Sequence, residues 1–236
     1  MTINSPAVLL VQNDVAPGRE SDFDAWYLAD HMPDRVGVPG FRRARRWRAF
    51  EGAPRDLSLY EIDALQVMAS EPYLARLADP TPGTRRNMDA FIGMRRSVCE
   101  VHGADGFADG GCAVLVPAAP PAGDAWLVRL LSTAAWRADA GAGVVARALL
   151  RCDGGASRSN SVESRLRRGE DQTIEAAAWI EAATPEQARV AAAVTADVLR
   201  AVGLVVGAPV LLRLIAGFQR PGVVCALTGN TSGPNQ

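Results

Sequence analysis

Histidine is scarce in this chain: His31 and His102 are the only two among 236 residues, so imidazole chemistry has two possible addresses. His31 lies in the most distinctive stretch, DFDAWYLADHMPDRVGVPGFRRARRWRA. Tyr27 precedes it by four residues, which on a helix puts both side chains on one face. Asp30 and Asp34 flank the imidazole and Arg35 follows. A histidine between carboxylates, at the end of a helix bordering a sheet, suits general acid/base work near neutral pH. The same placement also suits a plainer role, with the ring N–H groups bonded to the loose carbonyls of a helix C-terminus. Both readings stay open at this level.

The strand that follows is rich in arginine. Phe41, Arg43, Arg45, Trp47 and Ala49 alternate with Arg42, Ala44, Arg46, Arg48 and Phe50, so whichever face is internal draws at least one guanidinium inward. A buried guanidinium requires a carboxylate partner or an anionic ligand. Glu61, beside Tyr60 on the next strand, is one possible partner, and cross-strand pairing with acids is the simpler outcome. Nine of the 14 aromatic residues fall between Phe23 and Phe91. Pockets are typically apolar and aromatic with a few polar groups, which places a candidate site in this half. Its expected catalytic residues are His31 and Tyr27, and its expected substrate-binding residues are Trp26, Arg46, Trp47 and Tyr60.

Other chemistries find little support. The chain contains 25 cationic residues, all arginine; the lack of lysine removes Schiff-base and P-loop chemistry. There is no HxH, HExxH or CxxC, so no metal site is expected. A lone histidine can ligate haem, but nothing else in the sequence asks for haem, and no cofactor is expected. The serines at 157, 159, 161 and 164 lack a nucleophile-elbow motif. Net charge is −1 and even along the chain, which argues against a nucleic-acid partner. Cys99, Cys112, Cys152 and Cys225 read as reduced, mostly buried thiols. No apolar run reaches the length of a membrane span, and the N-terminus lacks the basic start of a signal peptide. A cytoplasmic protein without membrane partners is expected.

The elements that must hold these residues follow from periodicity and turn signals. Residues 6–13 read as a buried strand, Ser21 as an N-cap, and the helix after it falters at His31–Met32 because Pro33 disfavours helical geometry before it. Strands follow at 41–50 and 56–63, then a helix over 64–78 with Pro72 as a candidate break, a loop over 80–87, and a strand over 94–101. This β-α-β-β-α-β order is the ferredoxin-like plan. After a Gly-rich stretch at 102–111 the order restarts: a strand at 112–117, a helix at 124–138, strands at 144–152 and 173–181, a helix from Thr184 to about Val202, and a strand at 209–218. A capping box at Thr184–Gln187 opens the second long helix. Asp-Ala-Trp occurs at 24–26 and again at 124–126. The polar, Arg-rich stretch at 153–172 reads as a mobile excursion. The expected units are 1–104 with the site, 105–220 as a divergent copy, and a tail over 221–236.

The pattern W-Y-x-x-x-H-M-P-D-R-x-x-V-P-G-F from Trp26 to Phe41, with the arginine-rich strand and the later LSLYEI and ALQVMASEPYLARLADPTP, resembles the EthD-like branch of the dimeric α+β barrel superfamily. The resemblance covers residues 6–102; the second unit matches only in element order. It implies an α+β chain of two ferredoxin-like units whose sheets pack face to face as an internal pseudo-dimer. It also implies a cavity between helices and sheet with His31 at its mouth and Tyr27 and Trp26 nearby. Relatives include isomerases, cyclases, lyases, cofactor-free oxygenases and haem-binding proteins, and fold analogy does not choose among them. The leading expectation is a cofactor-independent lyase, isomerase or cyclase acting on an oxygenated small molecule. The alternative is a non-catalytic ligand-binding or assembly module, with His31 occupied by backbone carbonyls. Exposed sheet edges also make a homo-oligomer an expectation.

Overall fold

The computed structural model describes residues 3–137, 143–167 and 171–220; the tail at 221–236, with Cys225, lies outside them. The first unit runs β1 (Ala7–Val15), α1 (Glu20–Trp26), a π-helical turn (Tyr27–His31), α2 (Met32–Val36), β2 (Phe41–Glu51) and β3 (Asp56–Ile62). A 3₁₀ turn (Leu65–Ala69), α3 (Glu71–Ala78), α4 (Pro82–Asn87) and β4 (Phe91–Gly106) complete it. The second unit begins with β5 (Cys112–Ala119), α5 (Ala125–Ser132), α6 (Ala134–Arg137) and β6 (Val144–Cys152). Two short helices, α7 (Gly154–Ser157) and α8 (Val162–Leu166), precede β7 (Ala176–Ala182), α9 (Pro185–Ala201), β8 (Val205–Val206) and β9 (Val210–Gln219).

Each unit forms a four-stranded antiparallel sheet, β4-β1-β3-β2 and β9-β5-β7-β6. Arg43–Glu51 of β2 pair with β9, and Cys99–Gly106 of β4 pair with β6, so the two sheets close into one eight-stranded barrel. This is an α+β fold of tandem ferredoxin-like units, a dimeric α+β barrel within one chain. The edges left open by the sequence reading pair with each other, the full closure that removes a sheet edge. The boundary expected at 104/105 falls inside β4, which at 16 residues is longer than the 94–101 strand expected. Among the described residues no helix is long and apolar enough to cross a membrane.

Strand alternation sorts the side chains into three cores. The barrel interior holds residues such as Val8, Leu10, Trp47, Leu59 and Trp179, with the two indoles 5.4 Å apart. The outer faces carry one helix layer each, the first around Phe23, Tyr27, Phe41 and Tyr60, the second around Trp126, Leu130 and the α9 alanines. Trp26 and Trp126, the ends of the repeated tripeptide, occupy matching places in these two layers and are both buried. Inside the barrel Arg45 pairs with Glu181 at 2.7 Å, both essentially inaccessible. Glu61 lies 3.7 Å from the same guanidinium, so the acid anticipated as a partner serves Arg45 on the barrel face. Cys99 and Cys152 face each other across the β4–β6 seam as free thiols.

The sequence reading of the helices requires corrections. Arg19, not Ser21, stands at the N-cap of α1, without a side-chain cap, and Ser21 is exposed. The helix does not stop at His31. The Met32 N–H reaches back five residues to the Tyr27 carbonyl, and the widened turn carries the chain past Pro33, which has no N–H to contribute and clashes with a regular helical turn. The expected loop over 80–87 contains α4, capped by Thr81, whose hydroxyl accepts from the Thr84 N–H at 3.0 Å. The capping box at Thr184–Gln187 is present.

Candidate functional site

The π-helical turn presents Tyr27 and His31 side by side above the outer face of the first sheet. Single π-turns within helices often sit at functional positions, because the extra residue re-aims the side chains around it. The His31 ring lies 4.8 Å from the Tyr27 ring and 4.8 Å from the Trp26 ring. His31 lines a space of about 30 Å³ between the helices and β1, β3 and β4, room for about two water molecules. The wall opposite it is aromatic and apolar, with Tyr60, Tyr73, Phe91 and Met94.

His31 is 7% exposed, and its Nδ1 has no hydrogen-bond partner among the described residues. The flanking carboxylates have other partners. Asp30 accepts from the Thr81 hydroxyl at 2.9 Å, and Asp34 pairs with Arg35 and with Arg76. The charges that act on the imidazole are therefore cationic. Burial, then the Arg35, Arg46 and Arg167 guanidinium groups, hold His31 well below the usual histidine value of 6.5. The expectation of an imidazole poised between carboxylates is thus corrected: at pH 7 the ring is neutral and its nitrogen lone pair is a base.

The remaining candidates divide by strand parity. Tyr60 reaches the cavity from β3, and its hydroxyl donates to the Tyr27 hydroxyl at 3.2 Å. Burial raises Tyr60 well above the usual tyrosine value, so it stays a protonated donor. Arg46 is fully buried with its guanidinium carbon 3.9 Å from the Tyr27 ring centre, and it pairs with Asp56 and Asp24, each at 3.1 Å. Arg46 therefore props Tyr27 from behind and is not among the residues that line the cavity. Trp26 packs against His31 and is not among the residues that line the cavity. Trp47 points the opposite way from Arg46, into the barrel, and the structure does not bring it to His31. Removing the Tyr60 hydroxyl (Tyr60→Phe) is expected to cost about 1 kcal/mol, the net worth of one buried hydrogen bond, read from urea denaturation.

Gly83 holds the far side of Trp26 in place. A methyl group there would meet the Asp30 carboxylate and approach Trp26 Cδ1 to 2.8 Å. Alanine would ordinarily strengthen a helix, yet Gly83→Ala is expected to destabilise the protein by about 1–3 kcal/mol through overpacking. The ring environment of His31 should shift with it, visible in the imidazole proton resonances.

Several cavity residues escaped the sequence reading. Arg96 comes from β4, where Met94, Arg96 and Val98 alternate onto the helix-facing side; that parity was legible in the strand. Tyr73 comes from α3. The others belong to the second unit: Ser159, Ser161, Glu163 and Arg167 close the cavity from the 153–172 stretch. The described residues of this stretch are packed against the first unit, not a free excursion. Glu163 forms a buried pair with Arg35, and the Ser157 hydroxyl accepts from the Val98 N–H at 2.8 Å while donating to the Asp153 carbonyl at 2.6 Å. The expectation that the first unit alone furnishes the site is thereby corrected. Ser161 and Ser164 form a capping box at the start of α8, but serine in place of the usual Glu or Gln gave no helix signal in the sequence.

Among the described residues no cluster of three or more His, Cys, Asp or Glu side chains could hold a metal ion. A tetrapyrrole does not fit beside His31 in a space of about 30 Å³ closed by Arg35 and Glu163.

The geometry defines a tandem α+β barrel with a helix-side cavity closed by its second copy, and known structures share that architecture. An anthrone oxidase-like protein superposes with a TM-score of 0.58 at 12% identity, over 96% of this chain and 98% of that one. A monooxygenase candidate from Fusobacterium nucleatum superposes with a TM-score of 0.54 at 10% identity, over 92% of this chain and 96% of that one. At these identities the likeness is one of fold. No protein-family model and no curated protein matches the chain.

Proposed function

We propose that the protein is a cofactor-independent enzyme that abstracts a proton from a small oxygenated, carbonyl-bearing compound, with His31 as the base. The observation that carries this reading is the Nδ1 of a buried imidazole, unpartnered among the described residues, at the wall of an aromatic-lined cavity. A histidine with a purely structural role has its nitrogens taken by backbone carbonyls, whereas a base needs a lone pair facing the space where the C–H bond will lie. The Tyr60–Tyr27 hydroxyl pair and the nearby guanidinium groups supply donors for the enolate oxygen that forms as the proton leaves. His31 then returns the proton to the same or another carbon, as in an isomerase, or the carbanion expels a leaving group, as in a lyase. The pattern from Trp26 to Phe41 points to the EthD-like branch for this chemistry.

A second reading has its own support. Both structural neighbours above carry oxidase or monooxygenase descriptions, and a carbanion formed in the cavity can instead pass electrons to dioxygen. One experiment separates the readings. Wild type and His31→Gln are incubated in D2O with small 1,3-dicarbonyl and 2-oxo compounds, with C–H loss followed by NMR and dissolved oxygen by electrode. Accelerated exchange that depends on His31 without oxygen uptake supports the first reading, and uptake supports the second. Exchange that persists in His31→Gln, or no exchange with any compound, overturns the assignment of His31 as base.

A further inference from the structure

The cavity that holds His31 also contains a buried cation whose side-chain partners among the described residues are all neutral. Arg96 is 5% exposed. Its Nη1 donates to the Ser157 carbonyl at 2.8 Å, and its Nη2 to the Tyr73 hydroxyl at 3.1 Å and the Met68 sulfur at 3.4 Å. No carboxylate among the described residues pairs with it. The other guanidinium groups at the cavity wall differ: Arg35 has Glu163 and Asp34, and Arg167 has Asp171. Taking a charge out of water is costly unless an opposite charge meets it, and the acids at the cavity wall, Glu163 with Arg35 and Asp171 with Arg167, serve other cations.

We infer that the cavity binds a small carboxylate, with Arg96 and the Tyr73 hydroxyl holding its oxygens and the rest of the molecule lying against His31. A guanidinium has five N–H groups, and three of those on Arg96 already have protein acceptors, which leaves two. The Tyr73 oxygen accepts from Arg96, so its own proton is available to an anion. The unpartnered His31 Nδ1 in the same enclosure is a second polar group awaiting a ligand. The small volume selects a compact acid. This inference rests on the cavity being a substrate site, and it narrows the substrate class to carbonyl compounds that carry a carboxylate next to the reacting carbon.

The test uses formate, acetate and pyruvate as probes against chloride at matched ionic strength. Saturable binding is expected in wild type, seen as a rise in melting temperature and as movement of the His31 resonances. With two histidines in the chain, His102→Gln identifies which is which. Tyr73→Phe, which removes only a hydroxyl, should weaken acetate binding several-fold, and Arg96→Met should weaken it at least tenfold. Equal effects of chloride and carboxylate on wild type would overturn the inference, as would unchanged acetate affinity in Tyr73→Phe or in a folded Arg96→Met. His31→Gln should still bind acetate. The carboxylate subsite and the His31 base therefore fail separately: lost exchange with intact binding refutes the base, and intact exchange with no carboxylate preference refutes the subsite.

Discussion

Replacing His31 with glutamine is expected to lower proton exchange on a responsive substrate by about 10²- to 10⁴-fold, the usual contribution of a positioned acid or base. Stability should fall by only about 1–2 kcal/mol, since an amide fills most of the space of the ring it replaces. The pH dependence gives a sharper check. The folded-state value of His31 lies below 6.5, with burial as the first cause and the cations Arg35, Arg46 and Arg167 behind it. The ring is therefore already deprotonated at neutral pH. Exchange should be flat from about pH 6.5 upward and should fall only at lower pH, as the buried ring takes a proton.

The same depression links to folding. Between its folded value and 6.5, His31 binds a proton in the unfolded chain and not in the native one, so stability rises with pH across that window. The contribution is fully present above 6.5 and is lost toward the folded value, at up to about 1.4 kcal/mol per pH unit. Urea denaturation of wild type and His31→Gln at pH 7 and pH 5.5 should show the two proteins converging at the lower pH. A constant difference between them would mean that the imidazole is not held neutral by its surroundings.

The second large effect is expected at the closure of the cavity. Arg35 and Glu163, 4% and 6% exposed, form a buried pair across 128 positions of chain. Truncating one partner of such a pair typically costs about 3–5 kcal/mol, because the other charge remains buried. Asp34 stays beside Arg35, so Glu163→Gln should lie near the lower end, about 3 kcal/mol. The loss should be local, since Glu163 sits on the short helix α8 outside the barrel strands. Amide hydrogen exchange over residues 157–167 should accelerate about 100-fold while β1 and β3 exchange as before. With the cover loosened, water reaches the imidazole, and His31 should titrate closer to 6.5. Unchanged exchange over 157–167 would show that Glu163 does not hold the cavity shut.

The tandem plan was legible from the chain alone because it depends on local signals. Alternation over β1, β2 and β3, the capping box at Thr184, and the repeat of strand and helix order each arise from a few neighbouring residues, and together they imply two ferredoxin-like units. The neighbourhood of Tyr27 and His31 was legible for the same reason: four residues on a helix fix a shared face. Parity in β2 likewise separated Arg46 from Trp47, although only the structure showed which face met the helices and which met the barrel. Tertiary structure alone decided the charge environment of His31. The nearby acids Asp30 and Asp34 looked like its partners, but Thr81, Arg35 and Arg76 take them, and cations from β2 and from the 153–172 stretch act on the ring instead. It also decided that Glu163 and Ser161 of the second unit line a cavity in the first. A polar stretch in sequence reads the same whether it faces water or covers a site, because the partner that buries it lies more than a hundred residues away. Long-range contact, which no periodicity encodes, holds the His31 ring neutral at the cavity wall and leaves Arg96 with no carboxylate partner among the described residues.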